Sequence, residues 1–320
     1  MIDIKNVSRT YSDVHALSEI NYSIEKGTII GVVGRNGAGK TTLLKILSGV
    51  LTPSDGTVLF NGADIHKAGQ AYKFSVGYCS GNVGGLYMRL SVIDNLKFFA
   101  SMYRIPKKIA ENRAEELLKY FDLQEKRKVS IGSLSTGMKL KLKLAIAVIH
   151  TPDILILDES TSGMDYDAVQ KTLDLIRFLN KECKTTILFT THKINEIDAI
   201  ANELIILDGG KIISSGRINQ YYADYKNMAC IKAIVNESDM DKIEQSLANA
   251  PTVKLYGLEP GKEDKTLIMK VYTVISKSNV NEIIQDLIPE VEIRGIWTED
   301  LDLDSMVKMI TERTQNNEQH

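Results

Sequence analysis

Short apolar runs alternate with amphipathic stretches along residues 1 to about 220. TIIGVV (28–33), DILILD (153–158) and TTILFTT (185–191) centre on short apolar runs, the pattern of strands buried on both faces of a parallel sheet. Between them, residues 165–181 place Val169, Leu173, Ile176 and Leu179 on one side of a predicted helix. INYSI (20–24) and the region 57–60 alternate in period two, which predicts a small antiparallel sheet beside the parallel one. Residues 90–129 read as mostly helical, an arm inserted between strands. MKLKLKL (138–144) alternates perfectly, and periodicity alone reads it as a strand.

After Gly216 the texture changes. ACIKAIV (229–235), a helical DMDKIEQSL (239–247), VKLYGL (253–258), TLIMKVY (266–272), a helical SNVNEIIQDL (278–287) and VEIRGIW (291–297) follow in order, with the polar EPGKEDK (259–265) as hairpin loop. That is βαββαβ, the order of a ferredoxin-like α+β domain. The reading is two domains, 1–220 and 221–320, with Trp297 as a core anchor in the second.

Composition narrows the class. The 320 residues are 43% hydrophobic and 25% charged, an ordinary globular balance. The 39 basic and 41 acidic residues leave a net charge of −2, so no broad positive field attracts nucleic acid, and no nucleic-acid partner is expected. Cys79, Cys183 and Cys230 are widely spaced and odd in number, which reads as reduced thiols in a cytoplasmic protein. The opening MIDIKNVSRTYS lacks the apolar core of a signal peptide, and no run approaches the roughly 20 apolar residues that cross a bilayer. Any membrane role is expected to come through a partner.

The chemistry concentrates at GRNGAGKTT, Gly34 to Thr42. This is a P-loop: Gly34, Gly37 and Gly39 let the backbone of Arg35, Asn36 and Ala38 curl around a phosphate chain, and Lys40 supplies a positive charge. Thr41 offers a hydroxyl to Mg²⁺, and Thr42 lies in a helix whose positive N-terminus faces the phosphates. ILILDE (154–159) places two acids, Asp158 and Glu159, at the tip of an apolar strand, where ligands bind in open α/β sheets. In P-loop enzymes such an Asp holds Mg²⁺ and the adjacent Glu polarises the attacking water.

Three further motifs complete an ordered set: LSTGMK (134–139), SGMD (162–165) and TTH (190–192). Together they resemble the ATP-binding subunits of ABC transporters across residues 1 to about 220. The P-loop is the Walker A motif, Ser135 and Gly137 belong to the signature loop, Asp158 and Glu159 to Walker B, Asp165 to the D-loop, and His192 is the switch histidine. Tyr11 matches the aromatic position that stacks on adenine.

The resemblance implies ATP and Mg²⁺ as ligands, Glu159, His192 and Lys40 as catalytic residues, and Thr41 and Asp158 on the metal. It also implies a head-to-tail homodimer or heterodimer, in which one subunit's signature loop closes on the other's ATP. On this alignment 138–149 is a helix, with Leu140, Leu144 and Val148 turned inward. The resemblance further implies an integral-membrane transporter subunit as partner, with this chain peripheral on the cytoplasmic face. The LSTGMK signature, a glutamine missing at position 81 and the extension DLDLDSMVKMI (300–310) together look most like bacterial exporters of the ABC-2 type.

Four positions depart from the family pattern. Thr136 and Met138 replace the usual glycine and glutamine of the signature, and Ser160 stands where proline commonly follows Walker B. In VGYCSGNV (76–83) a glutamine that touches Mg²⁺ is replaced by Gly81, leaving Asn82 either as a surrogate or as a turn cap. His15, His66, His150 and His320 match no motif. Other readings are a soluble ABC ATPase acting on ribosome or DNA, and a regulatory nucleotide-binding module.

Overall fold

The structure is a computed structural model that describes residues 1–318 apart from 249, 251–252, 262–264, 275–279 and 290. Part of the 259–265 loop, the start of the 278–287 helix, and His320 therefore lie outside the described residues. The chain divides into two compact units, Met1–Ile218 and Asn219–His320.

In the first unit ten strands form two sheets: β1 Ile2–Tyr11, β2 Val14–Ile24, β3 Ile29–Gly34, β4 Asp55–Phe60, β5 Ala63–Asp64, β6 Val76–Ser80, β7 Ile154–Asp158, β8 Thr186–Thr190, β9 Glu203–Asp208 and β10 Lys211–Arg217. The central sheet has the order β10-β9-β3-β8-β7-β6; its strands run parallel except for β10, which pairs antiparallel with β9 at the edge. β7 and β8 are buried along their whole length, as apolar runs with both faces covered must be. A smaller antiparallel sheet, β2-β1-β4-β5, carries Ile2, Ile4, Val7, Leu17 and Ile20 into the same core as Leu43 and Leu44 behind the P-loop.

The strand order matters for the site. β8 lies between β3 and β7, so Thr190 at its end stands between the P-loop and Asp158, and Asp158 pairs in register with Thr190 on one side and Ser80 on the other.

The arm contains the helices Val92–Met102 and Lys107–Tyr120, with Ser91 capping the first by accepting the Asp94 N–H. Thr136–Val148 is helical throughout, in keeping with the alignment rather than with the alternation. Leu140, Leu142 and Leu144 are all fully buried, so the helix is covered on more than one side and loses the 3.6-residue polarity that marks a surface helix.

The second unit runs strand, helix, strand, strand, helix, strand: β11 Met228–Asn236, helix Met240–Ala248, β12 Val253–Pro260, β13 Thr266–Val274, helix Val280–Leu287 and β14 Gly295–Asp300, followed by the helix Leu303–Glu318. Its sheet has the order β12-β13-β11-β14, with every neighbour antiparallel. Ile231, Ala233, Val235, Met269 and Val271 meet Ile243, Leu247 and Ile284 from the two inner helices, and Ile288 just past the second, in its core. Trp297 is not part of it. The last strand begins at Gly295 rather than at 291, and Trp297 stays 38% exposed with its indole N–H donating to Glu299 at 3.3 Å.

Candidate functional site

β3 ends at Gly34, the loop runs through Arg35, Asn36, Gly37, Ala38 and Gly39, and the helix Lys40–Leu47 takes up Lys40, Thr41 and Thr42 in its first turn. Gly39 is the hinge of this turn. Its φ of 100° is left-handed, and an added Cβ would lie 2.5 Å from the Ala16 carbonyl oxygen, so neither conformation nor space admits a side chain. Lys40 is buried; its Nζ donates to the carbonyls of Gly34 at 2.8 Å and Arg35 at 3.0 Å, bracing the loop from inside. Burial lowers the Lys40 pKa, while the charges of Glu159 and Asp158 pull it back up.

Asp158 is the hub. Its Oδ1 accepts the Thr41 hydroxyl at 3.1 Å and the Thr190 hydroxyl at 3.0 Å, and the Tyr78 hydroxyl stands 3.5 Å from Oδ2. Burial first, and the Asp158 charge second, push the Tyr78 phenol above its usual range, so it stays protonated and donates toward that carboxylate. Thr41 and Asp158 thus present hard oxygens at hydrogen-bond distance from each other, beside the phosphate-facing helix N-terminus. That set fits Mg²⁺, which takes one or two protein oxygens and completes its shell with water and phosphate. Among the described residues no cluster of three or more His, Cys, Asp or Glu competes as a metal site.

Glu159 follows in the left-handed region at φ 54°, its N–H donating to the Thr190 carbonyl at 3.1 Å. The turn aims its carboxylate at His192, whose Nε2 is 3.0 Å from Oε1. Lys40, Thr41, Asp158, Glu159 and His192 are thereby gathered at the C-terminal ends of three neighbouring strands.

The other predicted positions stand apart from this cluster. Ser135 is exposed and caps its own helix by accepting the Met138 N–H at 3.3 Å; an added Cβ on Gly137 would lie 3.6 Å from the Gly163 carbonyl. Asp165 caps the helix Tyr166–Cys183 through the Ala168 N–H at 2.8 Å, and that bond is what lowers its pKa. Tyr11 is 42% exposed, with the Arg9 guanidinium 4.7 Å from its ring centre and held by the Thr52 carbonyl at 3.1 Å.

Gly81 is glycine for a packing reason: its N–H donates to the Asp158 carbonyl at 2.7 Å, and a Cβ would lie 2.4 Å from the Glu159 carbonyl oxygen. Asn82 is exposed and caps the turn, its Oδ1 accepting the Gly84 N–H at 3.2 Å and the Ser80 hydroxyl at 3.3 Å. Sequence reasoning missed Thr190 as a partner of Asp158, and also Glu196. Buried at the start of the helix Ile194–Ile200, Glu196 accepts the hydroxyls of Thr161 at 2.8 Å and Thr191 at 2.9 Å, and so joins the two loops that carry Asp165 and His192. Lys143 was missed as well, although a lysine recurring among buried leucines was its signal.

Fold and site together define a P-loop nucleotide hydrolase. The profile of the ABC transporter family matches residues 17–162. The ABC transporter ATP-binding protein NatA of Bacillus subtilis (strain 168) is 34% identical over 226 residues, 69% of this chain and 92% of that protein. The methionine import ATP-binding protein MetN 2 of Bacillus cereus is 28% identical over 288 residues, 86% of this chain and 85% of that one. The solved structure of cbiO1 from Clostridium perfringens, part of the ABC transporter complex cbiONQ, superposes with a TM-score of 0.61 at 27% identity, over 70% of this chain and 91% of that one. The chain belongs to the ATP-binding proteins of ABC transporters, an ATPase family that binds ATP with Mg²⁺ and works with membrane transporter subunits. Among the described residues no helix is long and apolar enough to cross a membrane.

Proposed function

We propose that this chain drives export through a separate integral-membrane subunit of the ABC-2 type, from the cytoplasmic face, by ATP-dependent closure of a head-to-tail dimer. The observation that carries the ATPase part is the convergence of Thr41 and Thr190 on Asp158 Oδ1, one residue before a carboxylate paired with His192. Export rests on the LSTGMK signature at 134–139. The alignment with a methionine import protein, which extends into the second unit, supports import as the second reading.

In the proposed mechanism the amides of residues 35–42 cradle the phosphates, Lys40 neutralises their charge, and the Tyr11 ring receives adenine. Mg²⁺, held by Thr41 and Asp158, supplies charge stabilisation of the phosphoryl oxygens when bound. Glu159 accepts a proton from the attacking water, and His192 turns from Glu159 to the γ-phosphate. Ser135 and Gly137 of the partner subunit's copy close the other side, with Asp165 at the junction. Tyr87, Met88 and Leu90 are exposed apolar residues at the base of the arm, where a helix of the membrane subunit would seat. The antiparallel strand order of the second unit supports a ferredoxin-like accessory domain.

Affinity purification from membranes in mild detergent tests this. A stoichiometric integral-membrane partner is expected; recovery of ribosomes or DNA instead would overturn the reading. Reduced uptake of the transported compound after deletion of the gene, rather than its accumulation, would turn the direction to import.

A further inference from the structure

Lys143 stands on the third turn of the helix Thr136–Val148, and its side chain reaches the end of β6. Its Nζ donates to the Ser80 carbonyl at 3.0 Å, the Ser80 hydroxyl at 3.0 Å, the Asn82 carbonyl, and the Asn82 side-chain oxygen at 3.3 Å. All four acceptors are neutral. Burial lowers the Lys143 pKa, so the fold holds a partly desolvated ammonium with dipoles alone, at a place where a methionine would pack with no such cost.

The caged loop leads directly to the metal-holding carboxylate. Ser80 pairs in register with Asp158, the Gly81 N–H donates to the Asp158 carbonyl at 2.7 Å, and Asp158 Oδ1 in turn binds Thr41 and Thr190. Position 81 cannot contribute a side chain, because a Cβ there would meet the Glu159 carbonyl oxygen at 2.4 Å. Beyond its ladder with β7, the end of β6 is held by Lys143, through the carbonyls and side-chain oxygens of Ser80 and Asn82.

We propose that Lys143 is a positioning residue for the Mg²⁺ site: by fixing the carbonyls of Ser80 and Asn82 it sets the Gly81 amide, and through it the orientation of Asp158. The proposal rests on Asp158 as the metal-holding carboxylate. It also gives the helix that begins at the signature loop a direct mechanical line to the metal site of the same chain.

The test uses the full chain and Mn²⁺ as a spectroscopic probe, titrated by electron paramagnetic resonance in the presence of ADP. Lys143→Met should weaken Mn²⁺ binding by about 10-fold, as loss of an outer-shell contact does. ADP affinity in EDTA should stay near wild type. Lys143→Arg, which restores a cation, should recover part of the Mn²⁺ affinity. Unchanged Mn²⁺ affinity in a Lys143→Met protein that still binds ADP overturns the proposal. If that variant does not fold, Lys143→Ala, which removes the donor and leaves room for water, replaces it in the same titration, and unchanged Mn²⁺ affinity there overturns the proposal equally. Asp158→Asn is the control for the underlying reading: if it leaves Mn²⁺ binding intact, the metal assignment fails independently of Lys143.

Discussion

His192 Nε2 lies 3.0 Å from Glu159 Oε1, so the imidazole N–H donates to the carboxylate read as the general base. The pair is about one-third exposed or more on both sides and contributes little to stability, so the proposed exchange of this partner for a phosphate oxygen would cost His192 little. Glu159→Gln should retain ATP binding and lose at least about 100-fold in turnover, measured by phosphate release. Turnover within a few-fold of wild type would remove Glu159 from the role of base.

Glu159 also carries backbone strain at φ 54°. A left-handed non-glycine residue costs about 1–2 kcal/mol, so Glu159→Gly should raise the midpoint of thermal unfolding while abolishing hydrolysis. An unchanged or lowered midpoint would show that the contact with His192 outweighs the strain.

The Tyr11 ring, backed by Arg9, is expected to stack on adenine. Tyr11→Ala should raise the KM for ATP by about 10-fold, in line with roughly 1–3 kcal/mol per stacked base, and leave kcat little changed. Equal loss of affinity for inorganic triphosphate would show that Tyr11 acts on the loop rather than on the base.

His150 sets a pH dependence of stability. It stacks on Tyr103 at 3.6 Å and contacts the Val76 carbonyl through Nε2, and burial above all lowers its pKa from 6.5 to about 4, against the pull of that carbonyl and with help from Arg113. As pH falls through about 6.5 the unfolded chain gains a proton that the folded chain refuses until about 4. Stability should therefore drop by about 1–2 kcal/mol between pH 7 and pH 5, seen in urea unfolding. His150→Gln should flatten that slope.

The two compact units divide at Ile218 and Asn219. Deleting residues 222–320 should leave nucleotide binding within a few-fold of the full chain and weaken dimerisation or assembly with the membrane subunit. A truncated chain that aggregates would show that the first unit depends on the second.

What was legible in the sequence is what chemistry dictates over short spacings. The P-loop needs its glycines, lysine and threonine within nine residues, and the strand-end acids announce themselves by standing after an apolar run. Thr190 escaped because its partnership with Asp158 depends on β8 lying beside β7, a neighbourhood that no local pattern encodes. Lys143 hid in an alternation that mimics a strand, since a helix covered on several sides has no polar face to reveal it. Trp297 was misplaced because the last strand starts four residues later than its apolar pattern, and the indole faces out of the small sheet's core.

The 2.4 Å approach of a Gly81 Cβ to the Glu159 carbonyl also bears on how this chain can change. Gly81→Gln does not by itself give back a metal-touching side chain; it first displaces the backbone of the residue read as the base, a cost of about 1–3 kcal/mol for forced overpacking. A side chain at 81 is therefore expected to be harmful until the turn at 159 has moved, and that turn is held by Thr190. Substitutions at positions 81, 159 and 190 are expected to be non-additive, each tolerated only in step with the other two.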